Sequence, residues 1–236
     1  MKNVVLPDDM QRSLSFYLAM EEYVADRFDE EIFFVWQSPP TVIIGRNQEL
    51  AAEVNVSYCR EHGVEVVRRR SGGGCVYSDM GNIMISYVSR KGDSAMVFDR
   101  YLSALTECLR SIGLDAVRSE RNDVLVSGMK VSGSAMQQLP GRTIAHGTLL
   151  FSTDLDALEY AIRPPVEKLQ RHGIASVRQR VANLSRFLPA HWNICLMKRH
   201  LISFFTDSDI ILSDGDVAEI VHLKDESENK FRPDVL

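Results

Sequence analysis

Apolar residues at Leu14, Phe16, Tyr17, Met20, Val24 and Phe28 return at near-helical spacing, which predicts a first helix capped by Asp8 or Asp9. The period then changes. "EIFFVWQ" is a dense run of β-branched and aromatic residues, Pro39 and Pro40 interrupt it, and "TVIIG" begins again, so residues 31–45 read as strand, turn, strand. "VSYCREHG" predicts a short helix closing on Gly63, and "VEVVRR" returns to β character before a run of glycines. "IMISYV" predicts a further strand.

The segment "SAMVFDRYLSALTECLRSIG" carries a helical apolar stripe that stops at Gly113. After it, "DAVRSE", "DVLVSG", "KVSGSAMQQ" and "RTIAHGTLLF" read as short strands with polar turns. Helices are expected at "DLDALEYAI", "PVEKLQRHG", "AHWNICLMKRHLISFF" and "GDVAEIVHLK", and the polar tail "DESENKFRPDVL" reads as weakly ordered. Strands thus cluster in the first two thirds and helices in the last. That order predicts an α+β fold around a mixed sheet, not a doubly wound βαβ repeat. Chain length allows one large domain or two small ones, with 236 residues enough for a sizeable core.

Composition adds exclusions. A formal charge of -5 argues against a general nucleic-acid binder or a membrane-surface protein. No stretch reaches the roughly 18 continuous apolar residues of a spanning helix, and the N-terminus has no apolar signal core. Cys59, Cys75, Cys108 and Cys195 lack metal-site or disulfide-framework spacing, so a cytoplasmic protein is expected.

Chemistry enters at "RRRSGGGCVYSDMGN", residues 68–82. The run is not a Walker A loop, because no Gly-Lys-Ser/Thr follows, nor a dinucleotide fingerprint, because the next segment reads as a strand. Two readings stay open. The glycines form a tight hairpin between "VEVVRR" and "CVYS", or they let backbone approach a ligand whose negative charge meets one of Arg68, Arg69 and Arg70.

In "RNDVLVSGMKVSGSA", Lys130 stands among small residues, Gly128 and Ser132 to Ala135, and suits a carboxylate or a phosphate; the alternative is a solvated strand lysine. Asn122 and Asp123 offer the hard oxygens that magnesium takes while phosphates complete its shell; the alternative is a turn carboxylate. In "AHGTLL", His146 and Thr148 share a strand face, where the histidine is either a base or a hydrogen-bonded structural residue. Arg163, Lys168, Arg171, His172, Arg178, Arg180 and Arg186 form either a solvated face or a dock for an acidic partner. Met129, Met136, Tyr77, Phe34 and Trp36 read as core.

Taken in order, "WQSPPTVIIGRNQE", "RRRSGGGCVYSDMGN", "RNDVLVSGMKVSGSA", "AHGTLLFSTDLDAL" and "EKLQRHGIASVRQRVANL" resemble the catalytic domain of the lipoate-protein ligase A family. The resemblance covers most of the chain. It implies the fold shared with biotin protein ligases, a mixed, mainly antiparallel sheet flanked by helices, in a single catalytic domain over residues 1–236 without the family's separate C-terminal accessory domain. It also implies ATP and Mg2+ as cofactors and lipoate as substrate. Lipoate would be activated to lipoyl-adenylate and passed to a lysine on an acceptor lipoyl domain, of a 2-oxoacid dehydrogenase acyltransferase subunit or a glycine-cleavage carrier protein. A separate accessory polypeptide is a further implied partner.

Carried over by motif, Lys130 would be catalytic, contacting the acyl carboxyl and the adenylate phosphate. Arg69, Ser71, Gly73 and the Gly74-Cys75-Val76-Tyr77 backbone would line the nucleotide and acyl pocket, with Asn82 nearby. Asn122 and Asp123 would lie at the phosphate, Asp123 as metal ligand, while Ser132, Gly133, Ala135, His146 and Thr148 would border the pocket. Cys75 and Ser78 stand where the family usually has Ala and His. The rival readings are a lipoyl or octanoyl transferase using a cysteine and a carrier thioester, a transferase fed with preformed adenylate, a biotin ligase, and a non-catalytic lipoate-binding protein.

Overall fold

Ser13 caps the first helix, rather than the expected Asp8 or Asp9. Asp8 is taken by a local turn, accepting the Met10 amide at 3.0 Å and pairing with Arg12, so Ser13 Oγ accepts Phe16 N–H at 3.3 Å. The computed structural model describes residues 1–90, 92–120, 122–163 and 180–231. In chain order these form β1 (Lys2–Val5), α1 (Leu14–Arg27), β2 (Ile32–Trp36), β3 (Thr41–Ile44), α2 (Leu50–Glu53), α3 (Val56–Glu61), β4 (Glu65–Arg68), β5 (Val76–Ser78) and β6 (Asn82–Ser89). Then come α4 (Ser94–Arg110), β7 (Ala116–Arg118), β8 (Asp123–Val126), β9 (Met129–Leu139), β10 (Arg142–Leu150), α5 (Leu155–Ala161), α6 (Ile194–Phe205), β11 (Ser208–Ile211) and α7 (Asp214–Phe231). The helix expected at "PVEKLQRHG" lies outside the described residues.

Two sheets result where one was expected. The large one has eight strands in the order β11-β1-β2-β6-β10-β9-β8-β7. Only its β11-β1-β2 pairings are parallel, so it is mixed and mainly antiparallel. The small one is β4-β3-β5. Its order removes the hairpin reading of the glycine run: β4 and β5 do not pair with each other, and each pairs with β3, in parallel and antiparallel register respectively. The run therefore crosses over the end of β3.

Packing explains the layers. One face of the large sheet buries Phe33, Ile83, Ile85, Ala145 and Leu149 against α4 and α6. The other face buries Phe34, Trp36, Met84, Val88 and Ile144 against α1, α7 and the Ile43 and Val76 side of the small sheet. The reverse side of the small sheet, with Val42, Ile44, Val66 and Tyr77, packs on α3 and α5. Each fully buried Leu, Ile or Phe in these layers is worth about 1.5–3 kcal/mol.

Short polar strands escaped the sequence reading: β1 and β11, four residues each, carry no clean alternation. The tail expected to be weakly ordered instead continues α7 to Phe231. Val217, Ile220 and Leu223 seat that helix, Tyr23 donates a hydrogen bond to Asp216, and Lys224 pairs with Glu228 at 3.3 Å. Met136, read as core, is exposed near the end of β9. None of the described helices is long and apolar enough to cross a membrane.

Candidate functional site

Strand register gathers most of the singled-out residues on one surface. Asp123 pairs with Gly133, Gly133 with Thr148, Thr148 with Met84, and Met84 with Trp36. Two residues along, Ala135 pairs with His146, His146 with Ser86, and Ser86 with Phe34. Because side chains alternate across a strand, both rows point to the face that α1 and the small sheet cover. The glycine run closes over it: a Cβ on Gly73 would stand 3.8 Å from the Ala135 Cβ.

At the outer end of the first row, Lys130 Nζ lies 2.8 Å from Asp123 Oδ1, and Arg180 pairs with Asp123 Oδ2. Asp123 is 5% exposed, so its carboxylate is a buried anion held between two half-buried cations. The hairpin turn of Ser127 and Gly128, both at positive φ, starts β9 and so sets Lys130 beside Asp123. A register shift between Val124 and Leu125 follows. The segment after residue 179 docks on the same spot, with Lys130 N–H donating to Arg180 O at 2.8 Å and Ala182 N–H to Lys130 O at 2.9 Å. Gly133 makes the arrangement possible: a Cβ there would meet Lys130 Nζ at 2.7 Å. Asn122 is exposed, at φ 65°, on the approach to Asp123.

The three arginines have three different tasks. Arg68 donates to the carbonyls of Gly45, Arg46 and Gln48. Arg70 pairs with Glu22 of α1 at 2.6 Å. Arg69, 6% exposed, donates to the carbonyls of Ile43, Gly72 and Gly74 and to Ser71 Oγ. Its fork thus organises the glycine run from inside. Burial pulls the guanidinium down to about 10, with Cys75 acting in the opposite sense. Gly45 is the other half of this packing, since a Cβ there would lie 2.3 Å from Gly73 O.

At the inner end, His146 Nδ1 lies 2.9 Å from Glu21 Oε2 and its Nε2 2.7 Å from Ser71 Oγ. Thr148 exchanges long 3.4 Å contacts with the Gly133 backbone.

The remaining expected site residues serve in other ways. Asn82 is buried, accepting Leu149 N–H at 3.1 Å and donating to Tyr77 O at 3.4 Å, which makes it a strut between β5 and β10. Ser132 faces the α4 side, opposite Leu149. Tyr77 and Cys75 pack with the α3 and α5 cluster, while the Val76 side chain packs on the side that faces the large sheet.

No thiol stands on the shared face. Cys59 and Cys108 are buried, burial raising both thiols and the latter to about 12, and Cys195 is exposed on α6. Of the basic run, Lys168, Arg171, His172 and Arg178 lie outside the described residues.

Sequence reasoning did not find Glu21, although it carried a signal. It follows Tyr17 by four residues and Met20 by one, a carboxylate on the apolar stripe of α1. Among the described residues no three His, Cys, Asp or Glu come together as a metal cluster. The donor set suits a magnesium ion only if phosphates and water supply most of its shell, Asp123 being the carboxylate that pairs with Lys130 and Arg180 among the described residues.

A family model, the lipoyl protein ligase A/B catalytic domain, matches residues 13–206. The chain is 39% identical over 199 residues to the lipoate-protein ligase LplJ of Bacillus subtilis, covering 82% of this chain, and 40% identical over 174 residues to lipoate-protein ligase 1 of Staphylococcus aureus, covering 72%. It spans 60% and 53% of the lengths of these relatives. Among solved structures, a chain from the bi-partite lipoate protein ligase and E2 lipoyl domain system of Thermoplasma acidophilum superposes with a TM-score of 0.82 at 29% identity, over 96% of this chain and 93% of that one. A lipoate-protein ligase A bound with ATP gives 0.80 at 25% identity, over 95% and 94%. The chain belongs to the lipoate-protein ligase A family, within the lipoyl protein ligase A/B catalytic domains.

Proposed function

We propose that this chain is an ATP-dependent lipoate-protein ligase, which activates lipoate or octanoate to the acyl-adenylate and transfers the acyl group to a lysine of a lipoyl domain. The observation that carries the reading is the cationic end of the shared strand face. Lys130 and Arg180 flank one buried carboxylate there, on the face over which the glycine run closes, in a chain with relatives named lipoate-protein ligases. Solved neighbours with ATP and with lipoic acid bound support the same substrates.

In the first step a carboxylate oxygen of the acid attacks the α-phosphorus of ATP and pyrophosphate leaves. Two anions must come together, so the main demand on the protein is charge neutralisation and alignment. Lys130 meets that demand as a compact ammonium that contacts first the carboxylate and then the adenylate phosphate. Asp123 keeps Lys130 and Arg180 gathered, and with Asn122 would hold magnesium, which supplies charge neutralisation on the phosphates. Backbone of the Gly73 to Val76 stretch lines the nucleotide and acyl path, with Ala135, His146 and Thr148 on the opposite wall. In the second step the neutral lysine amine of the acceptor attacks the acyl carbonyl, an amide forms, and AMP departs.

Likeness to a chain of a bi-partite ligase supports an accessory unit working with this one in adenylation, in trans or in cis. The acceptors would be the lipoyl domains of a 2-oxoacid dehydrogenase acyltransferase subunit or a glycine-cleavage carrier protein. Four free cysteines suit action in the cytoplasm.

The test incubates the protein with an unmodified lipoyl domain, Mg-ATP and lipoate, beside a tube given synthetic lipoyl-adenylate, and reads acceptor mass. Modification in both tubes supports a self-sufficient ligase. Modification with the adenylate alone supports a transferase half that requires its accessory unit. No modification in either overturns the reading in favour of a lipoate-binding protein.

A further inference from the structure

The polar chain at the inner end of the site has a direction that can be worked out by counting protons. Trp36 Nε1 can only donate, so Ser86 Oγ accepts from it at 2.9 Å and gives its own proton to Glu21 Oε1 at 2.6 Å. At the other end Arg69 is also a pure donor, giving Nε–H to Ser71 Oγ at 3.1 Å. Glu21 Oε2, 2.9 Å from His146 Nδ1, is an acceptor and so favours the ring proton on Nδ1. In that tautomer Nε2 is bare and, 2.7 Å from Ser71 Oγ, accepts the proton that Ser71 has left. Two runs of donated protons, one from an indole and one from a guanidinium, therefore converge on a single carboxylate. A chain with donors at both ends needs one member that only accepts, and Glu21 is that member. It is 2% exposed, so water does not take over the role.

We propose that Glu21 is a positioning residue for the acyl-binding wall of this site. It fixes His146 in the Nδ1–H tautomer, and through His146 it holds the Ser71 hydroxyl and the Arg69 fork that shapes the glycine run. The consequence for recognition follows from saturation. With the indole, hydroxyl and imidazole protons of the chain committed, these side chains offer an acyl chain no unfilled donor, and so accept a hydrocarbon segment without the penalty of an orphaned polar group. The kinetic part of this inference rests on the ligase reading; the tautomer does not.

Two variants and one spectrum decide it. Glu21→Gln keeps the shape of the side chain and removes the second acceptor oxygen, so one of the two runs must end on an unpaired proton. Ser86→Ala sits on the indole run and leaves the histidine run intact. In protein labelled with 15N-histidine, long-range proton-nitrogen correlation should show His146 with Nδ1 protonated and Nε2 bare, both in the unsubstituted protein and in Ser86→Ala. In the acceptor-mass assay, Glu21→Gln should raise KM for the acyl substrate about tenfold while kcat stays within about threefold, and Ser86→Ala, which orphans the Trp36 donor but leaves the histidine run intact, should raise KM by only about threefold. A protonated Nε2 in the unsubstituted protein would overturn the assignment whatever the assay reads, as would an unaltered KM in Glu21→Gln. An acyl adduct found on Ser71 would equally overturn it, by making that hydroxyl a nucleophile. If neither lipoate nor its adenylate modifies an acceptor, the ligase reading fails and the spectrum still decides the tautomer.

Discussion

The two ends of the shared strand face differ in how they balance charge. At the outer end one buried carboxylate, Asp123, serves two cations that are themselves half open to solvent. At the inner end one buried carboxylate, Glu21, meets a hydroxyl and an imidazole. The first arrangement gathers two cations at a partly solvated spot, where an anion can approach them. The second is closed on itself. A single face can thus receive a charged head at one end and an apolar body at the other, the distinction a fatty acid or lipoate demands.

Removing Lys130 should break the outer end most severely. Lys130→Ala is expected to lower acyl transfer at least about 100-fold, with or without preformed adenylate, while circular dichroism stays native. Transfer at the original rate would sink the division of labour drawn here. Next, Gly133→Ala sharpens the comparison without deleting any charge. Its methyl group displaces the end of the flexible Lys130 side chain, so activity should fall about tenfold with little change in melting temperature. His146→Ala, at the inner end, should act mainly on KM for the acid, by about five- to tenfold, and leave adenylate-driven transfer less affected. Equal losses for Lys130→Ala and His146→Ala in kcat would erase the distinction between the ends.

Stability tests come after these. Asp123→Asn leaves two cations adjacent and should cost about 2 kcal/mol in urea unfolding, below the usual figure for a buried pair because Lys130 and Arg180 are partly solvated. Tyr23→Phe, outside both ends, removes the hydrogen bond to Asp216 and should cost about 1 kcal/mol. Burial, with Asp216 beside it, raises the Tyr23 hydroxyl to about 12. A raised value in the folded state means that this contribution is complete below pH 10 and is lost as pH climbs towards 12. Tyr23→Phe should therefore flatten that part of the stability profile.

The outer end was legible in the sequence and the inner end was only half so, for a physical reason. Lys130, Asp123 and Gly133 lie within eleven residues of one another, on strands joined by a tight turn, so local pattern brings them together. Glu21 and His146 meet across 125 residues, and nothing in the helical stripe of α1 announces what its one buried acid will face. The three arginines show the same limit. Their number and position were visible, yet their partners, two sets of carbonyls, a serine hydroxyl and one glutamate, come in large part from a loop, a strand and a helix elsewhere in the chain. The glycine run looked like a hairpin because strand follows strand there, and the intervening β3 was supplied from earlier in the sequence. Long-range pairing, unlike period, is not written in any one window of residues.

Trp36, the donor at one end of the inner chain, also stacks on Tyr17 with ring centroids 4.5 Å apart. The other tryptophan, Trp192, packs on the opposite side of the large sheet, with the α4 and α6 cluster. The molecule therefore carries two indoles separated by the sheet, one coupled to the cleft wall and one remote from it. Ultraviolet emission divides accordingly: a molecule entering the cleft alters the light from one chromophore and spares the other, an internal optical reference that needs no added dye.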